Sequence, residues 1–357
     1  MPRVQFLDFL KGVLIFLVVT GHVLQHGIYQ WQGHWQDPLF KAIYLFHMPL
    51  FMAVAGYLSQ PGIERISAWQ AIQSRFTAYI VPVIVWSTLY CLAVSVLIDH
   101  LSHETIGRLP AYLFKQITSD LWFLGALFGS VVVTALTRLT GRHFAIFYPL
   151  SFLAVLCLPE YGNLILFKFT YPFFQIGYGL AKWGIPGFFT RKPLTVFLAA
   201  LIPAAICYTL FRTDTYVYNS GMALTAANAS NLLVRFGGAL SGSVAVIYAL
   251  QFLYGRLSGG VKGVFDAFGR DSIYIYIIQN YVFMVVDRIC DRVHVPKPSM
   301  LTGWLIALAA GFLICGGCYL GGRLLARNAF LATLLFGKKS RRPAPSGQAA
   351  AAAREAT

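Results

Sequence analysis

Ten long apolar runs separated by short polar stretches organise the chain, at about 8–27, 38–58, 78–98, 121–137, 143–159, 164–181, 194–211, 232–253, 271–290 and 301–322. Runs of this length suit helices that cross about 30 Å of hydrocarbon. The pattern predicts an all-α fold, a polytopic transmembrane helical bundle of about ten helices in residues 1–336. Residues 337–357 are basic, then rich in Ala and Pro, and are expected to form a disordered cytoplasmic tail. No internal repeat is evident, so the inverted-repeat signature of many transporters is not seen. The longest connections, Asp99–Asp120 and Arg212–Asn231, read as outer loops, and the second carries Tyr216-Val217-Tyr218-Asn219-Ser220. Loops of that length often cover a site.

Composition agrees with the pattern. Of 357 residues 57% are hydrophobic and 11% charged, with a mean hydropathy of +0.65, which leaves no room for a large soluble domain. A net charge of +15 raises the question of nucleic acid, and the positions of the charges answer it. With the N-terminus inside, only Arg108, Lys115, Arg212, Arg288, Arg292 and Lys297 of the 28 basic residues fall in outer loops. Most of the others lie on the inner side, as expected of a chain with both termini in the cytoplasm. Topology and contact with anionic membrane lipids account for the basicity, and nucleic acid is not an expected partner. A cleaved signal peptide does not fit: Asp8 and Lys11 interrupt the start, and no small-residue cleavage site follows the long run. Cys315-Gly316-Gly317-Cys318 has CxxC spacing but lies inside an apolar run with no second Cys/His pair. Small residues for helix packing explain it better than metal or redox chemistry, and no metal is expected.

The chemistry concentrates in a few polar residues within the apolar runs. Ionisable groups in a membrane are costly and usually face the protein interior, where they take part in function. His22 lies deep in the first run. At 100° per residue Lys11 falls about 20° from it and Asp8 about 40°, so one face carries an acid, a base and an imidazole. In the second run, entered from the opposite side, His47 falls at a similar depth, and Pro49 is expected to kink the helix beside it. A single buried His is as easily a packing residue. Two at one level, one of them aligned with Lys11 and Asp8, favour function. A neutral imidazole can take a proton from an attacking hydroxyl or first accept an acyl group itself. Lys11 suits an anionic cofactor group; its alternative is an i,i+3 ion pair with Asp8.

Asp8-Phe9-Leu10-Lys11-Gly12, then Val18-Val19-Thr20-Gly21-His22, Phe46-His47-Met48-Pro49-Leu50-Phe51 and Gly56-Tyr57-Leu58 together resemble the acyltransferase-3 family of integral membrane O-acyltransferases. The likeness is greatest to its fucose O-acetyltransferase-like branch. Arg75 ahead of Tyr79-Ile80-Val81-Pro82 and Trp86-Ser87, Leu121-Trp122-Phe123-Leu124, Phe173-Phe174 with Gly177-Tyr178, and Gly269-Arg270-Asp271-Ser272-Ile273-Tyr274-Ile275-Tyr276 continue the match in order. The resemblance implies transfer of an acyl group, by default acetyl from acetyl-CoA, to a hydroxyl of a surface polysaccharide or lipid-linked glycan at the bacterial inner membrane. It makes His22 the leading catalytic residue, with Lys11 at the family's spacing before it, and marks His47, Arg75 and Trp122. Two departures stand out. Lys replaces the Arg of many members, so a bidentate grip on phosphate is not available. The hydrolase-like domain fused to some members has no counterpart here, so the membrane core must finish the transfer or hand over to separate glycan-assembly partners.

The site expected from these readings has His22, His47 and Asp8 as catalytic residues. Lys11, Arg75 and Arg270 would hold the cofactor, although inner-side anchoring also explains the two arginines. Trp122, Gln279 and Asn280 would bind the acceptor; an interfacial Trp and helix-bridging amides are their structural alternatives. Arg235 reads equally as snorkelling or as an acceptor contact. A glycan or lipid-linked-intermediate transporter is the rival reading, because buried His, Arg and Asp suit such pathways too. A succinyl or longer acyl group is the rival within the enzyme reading.

Overall fold

Asp37 and Pro38 show how the sequence sets the start of the second long helix. The Asp37 carboxylate accepts from the Phe40 backbone N–H at 2.7 Å and Pro38 occupies the first turn, a capped helix start. Tyr29 Oη and Trp304 Nε1 donate to the same carboxylate at 2.7 and 2.9 Å, tying that start to neighbouring segments. The computed structural model describes residues 5–97, 103–185, 189, 191–290 and 297–338, and every element among them is helical. The helices are α1 (Gln5–His22), α2 (Pro38–Glu64), α3 (Ala68–Arg75), α4 (Val81–Leu97), α5 (His103–Ser119), α6 (Trp122–Arg138) and α7 (Phe144–Leu156). They continue with α8 (Leu164–Trp183), α9 (Pro193–Leu210), α10 (Ala226–Arg256), α11 (Gly259–Arg270), α12 (Ser272–Cys290), α13 (Met300–Leu325) and α14 (Ala329–Phe336). The expected tail beyond Lys338 lies outside the described residues.

Among the described residues seven helical stretches are long and apolar enough to cross a membrane, and the bent pair Gly107–Ser119 and Trp122–Arg138 makes an eighth if counted as one span. Two further expected segments are helices as well. The first, α7, has only 13 residues. The second, α8, spends its polarity inside the bundle, with Lys168, Thr170, Tyr171 and Tyr178 all buried. The chain is therefore an all-α, multi-pass membrane protein. Two connections differ from expectation. The span carrying Arg75 begins at Ala68 rather than 78, since a Ser67–Gln70 capping box starts a helix directly after α2. The described part of the Asp99–Asp120 connection is largely the helix α5, which meets α6 at 67°.

Two glycine-mediated backbone contacts place the helices that carry the histidines. A Cβ on Gly269 of α11 would lie 1.7 Å from the Asp8 carbonyl oxygen, and one on Gly12 would lie 1.9 Å from that of Phe265. Between α2 and α8, Gly177 would meet the Ala53 carbonyl at 1.8 Å and Gly56 that of Phe174 at 2.2 Å. Such close crossings are how membrane helices gain packing without a hydrophobic drive between them. Held in this way by α11 and α8, α1 and α2 pack against each other in opposite directions, with Gly21 beside Tyr44 and Ile15 and Val18 sharing a cavity with Met48 and Phe51.

Candidate active site

The site grows from the point where α1 stops being an α-helix. Directly after His22 the chain winds as a π-turn, Val23–Ile28, and a second π-turn, Phe76–Ile80, separates α3 from α4. Such turns recur at functional sites. The His22 ring sits inside the bundle, with His26, His47 and Gln279 around it. Its Nδ1 is buried and finds no hydrogen-bond partner among the described residues, yet the side chain as a whole keeps some accessible surface. Gln279 is buried; its amide donates to the Tyr276 carbonyl at 3.2 Å, while its Oε1 has no partner among those residues. An unsatisfied buried group costs about 1–3 kcal/mol. The Gln279 side chain also interacts with the His22 ring, so the two form a polar pair inside an apolar bundle.

His47 is also buried, and the geometry fixes its tautomer. Nδ1 lies 2.8 Å from the Ile43 carbonyl, an oxygen that can only accept, so Nδ1 carries the proton and Nε2 keeps its lone pair. Tyr44 packs on the ring at 4.6 Å between centroids. Two cavities open near this wall. One of about 160 Å³ is lined by Ile15, Val18, Met48, Phe51, Tyr79 and Tyr276 among others. A tighter one, about 20 Å³, is lined by His47, Tyr44, Trp122, Tyr216, Tyr218 and Arg235. Met48 borders both.

Trp122 reaches the tighter cavity because the chain turns sharply before α6. Leu121, buried, adopts φ 48°, a left-handed conformation that costs a non-glycine residue energy and that tends to persist where structure demands it. Trp122 also lines a larger cavity of about 640 Å³ between α4, α5, α6 and α8.

Arg235 resolves into a clamp. Its guanidinium donates to the carbonyls of Thr215 and Gly221 at 2.8 and 2.6 Å and to Ser220 Oγ at 2.6 Å. It holds the segment carrying Tyr216 and Tyr218 over His47. Glu160 anchors the end of that segment, accepting from Met222 N–H and from buried Lys168, each at 2.7 Å. Burial pushes the Glu160 carboxyl up, but the Lys168 ammonium and the Met222 N–H outweigh it and hold the group below its ordinary value. Its contribution is therefore present at neutral pH and is lost as pH falls through the carboxylate range. Arg235→Met is expected to cost about 3 kcal/mol, because it removes charged hydrogen bonds in a buried place, and to expose residues 213–222 to protease. Mapped limited proteolysis checks this; an unchanged cleavage pattern contradicts the clamp.

The other expected residues divide by location. Asp8 pairs with Lys11 at 3.1 Å, the i,i+3 contact. It lies about 21 Å along α1 from His22, so the structure does not bring this carboxylate to the imidazoles. Lys11, Arg75 and Arg270 all sit toward the end of the bundle where α1 begins. Arg75 packs near Gly62 of α2, and Arg270 is exposed at the end of α11. Asn280 is adjacent to Gln279 on α12, with its Nδ2 buried and without a partner among the described residues. His26, Trp31, Tyr44 and Asp287 also belong to this neighbourhood, and the sequence pattern does not single them out. The i,i+4 spacing of His22 and His26 is the one available signal. Among the described residues no group of three or more His, Cys, Asp or Glu is arranged to hold a metal ion.

Residues 4–323 match the family described as "Acyltransferase domain", acyltransferase-3. The chain belongs to the acyltransferase-3 family. It is 31% identical over 290 residues to Nodulation protein NolL of Sinorhizobium fredii (strain NBRC 101917 / NGR234), covering 79% of this chain and 78% of the relative. It is 33% identical over 291 residues to Nodulation protein NolL of Mesorhizobium japonicum (strain LMG 29417 / CECT 9101 / MAFF 303099), covering 79% and 77%. No solved structure matches. This acyltransferase-3 member is a membrane O-acyltransferase, whose kinds of substrate are an acyl donor and a glycan acceptor.

Proposed function

We propose that the enzyme moves an acetyl group from acetyl-CoA to a hydroxyl of a surface polysaccharide or lipid-linked glycan, in the bacterial inner membrane with both termini in the cytoplasm. Residues 1–336 form the transferase unit and 337–357 its cytoplasmic tail. The observation that carries this reading is the pair of imidazoles brought together from α1 and α2, with a cavity against His47 whose neighbour Met48 borders a second, and with His47 Nε2 left as the basic nitrogen.

In this reading Lys11, Arg75 and Arg270 meet the phosphates of acetyl-CoA at the cytoplasmic end, Asp8 keeps Lys11 in place, and the thioester reaches the histidines along the apolar 160 Å³ cavity. The acceptor comes from the opposite end, its sugar ring against Trp122 and its hydroxyls toward Gln279 and Asn280. One imidazole removes the hydroxyl proton; the oxygen attacks the acyl carbon; the C–S bond breaks and the thiolate leaves. His22 serves as that base or as acyl carrier, with His47 as its partner.

Lys11→Met tests the donor end. Removing one charge-assisted hydrogen bond to the cofactor costs about 1.4 kcal/mol, so the KM for acetyl-CoA should rise about tenfold with kcat little changed. An unchanged KM with a reduced folded yield would instead make Lys11 a structural partner of Asp8.

A further inference from the structure

A second histidine–acid pair stands beside His22 and is not used by the mechanism above. His26 Nδ1 lies 2.7 Å from Asp287 Oδ1, bringing together two residues far apart in sequence. Trp31 Nε1 donates to the same oxygen at 3.1 Å. The carboxylate accepts from Nδ1, which leaves the His26 Nε2 lone pair unprotonated and available. The His22 and His26 rings are 5.6 Å apart between centroids. Phe283 fixes both, edge-on to His22 at 5.4 Å and stacked on His26 at 5.1 Å.

Exposure grades along this row. The His26 side chain is 12% exposed, Asp287 30%, and Trp31 is largely open at 53%. Two part-buried imidazoles and a solvent-touching carboxylate thus follow one another outward, away from the end that carries Lys11. The neighbouring carboxylate Asp37 has no such freedom, being filled by Phe40 N–H, Tyr29 and Trp304.

We propose that Asp287 and His26 form a proton outlet for His22. The inference rests on the acyl-transfer reading. When the acceptor hydroxyl attacks, its O–H bond breaks and the proton goes to the His22 imidazole, the C–O ester bond forms, and the C–S bond breaks. The thiolate departs toward the opposite end and takes its proton from water there. The proton on His22 passes to His26 Nε2, while His26 Nδ1–H moves toward Asp287 and out to water, which returns His22 to its basic form. Asp287 is a positioning and relay residue and touches neither substrate.

Asp287→Asn is the sharpest test, since the amide keeps the shape and the Trp31 contact and removes the charge. Wild type, Asp287→Asn and Asp287→Glu are purified in detergent, and acetyl transfer from acetyl-CoA to glycolipid extracted from the source membrane is followed by thiol release. The expected result is a fall in kcat of about a hundredfold for Asp287→Asn with both KM values unchanged. The solvent deuterium isotope effect on kcat should at least double, and Asp287→Glu should recover part of the rate. His26→Gln should show the same split. Unchanged kcat, or a loss in which KM or thermal stability moves while the isotope effect does not, would overturn the relay and leave a structural latch between α12 and the π-turn. If wild type itself releases no thiol on addition of acceptor, the acetyl-CoA reading fails, independently of the relay.

Discussion

His22→Ala is expected to abolish acyl transfer, with kcat/KM falling at least about a thousandfold while the protein still folds and inserts. The residue sits at the junction of everything else in the site. His26, His47 and Gln279 surround it, the chain changes from α to π winding directly after it, and its buried Nδ1 has no partner among the described residues. The stability cost should be confined to lost ring packing against Phe283 and His26, about 1–2 kcal/mol. His47→Ala should be milder, about a hundredfold in rate, and should also cost stability, because Nδ1–H is bonded to the Ile43 carbonyl and the ring packs on Tyr44. Rates and melting temperatures of the two variants measured together separate chemistry from packing. A His22→Ala enzyme that transfers normally would remove His22 from the mechanism.

Gly269→Ala should be the most damaging conservative change in the chain. The added Cβ would stand 1.7 Å from the Asp8 carbonyl oxygen and 2.8 Å from Gly12 N, and both are backbone atoms that no rotamer change can move. Relief requires α11 to separate from α1, at a cost on the order of 4 kcal/mol or more, a large part of the stability of any domain. Separation would also shift Lys11 and Asp8. Gly125→Ala is the matched control. Nothing lies within 4 Å of its Cβ position, and replacing Gly by Ala in a helix interior should be neutral or stabilising by up to about 1 kcal/mol. Folded yield and melting temperature in detergent decide: equal values for the two variants would contradict the close crossing.

Much of this architecture is legible in the sequence because membrane helices write themselves as apolar runs. The positions of α1, α2, α10, α12 and α13 follow from those runs to within six residues at either end. His22 and His47 can be paired because depth is a count of residues from a helix end, and both counts are available. The amphipathic helix α5 reads as a loop because its apolar positions, such as Leu109, Leu113 and Ile117, are interspersed with charge. Arg75 reads as part of a loop for a related reason, since α3 is a polar helix whose capping box leaves no room for a turn longer than a few residues. The π-turns have no compositional signature, as the same residues fill an α-turn equally well. Contacts between distant segments are out of reach. Nothing in the neighbourhood of Asp287 announces His26, and nothing near Arg235 announces that its donors are spent on Thr215, Ser220 and Gly221. Asp8 shows what a helix face leaves out: it shares a face with His22 while about 21 Å of helix separate the two.

Cells of the source organism lacking the gene, complemented with wild type or His22→Ala at equal membrane levels, provide the most direct measurement: ester-linked acetate on surface glycans. Loss of acetate on deletion, restored by wild type and not by His22→Ala, is the predicted result and would also identify the modified sugar. Acetate unaffected by deletion, with glycan export impaired instead, would contradict acetyl transfer at this site and favour a transport role.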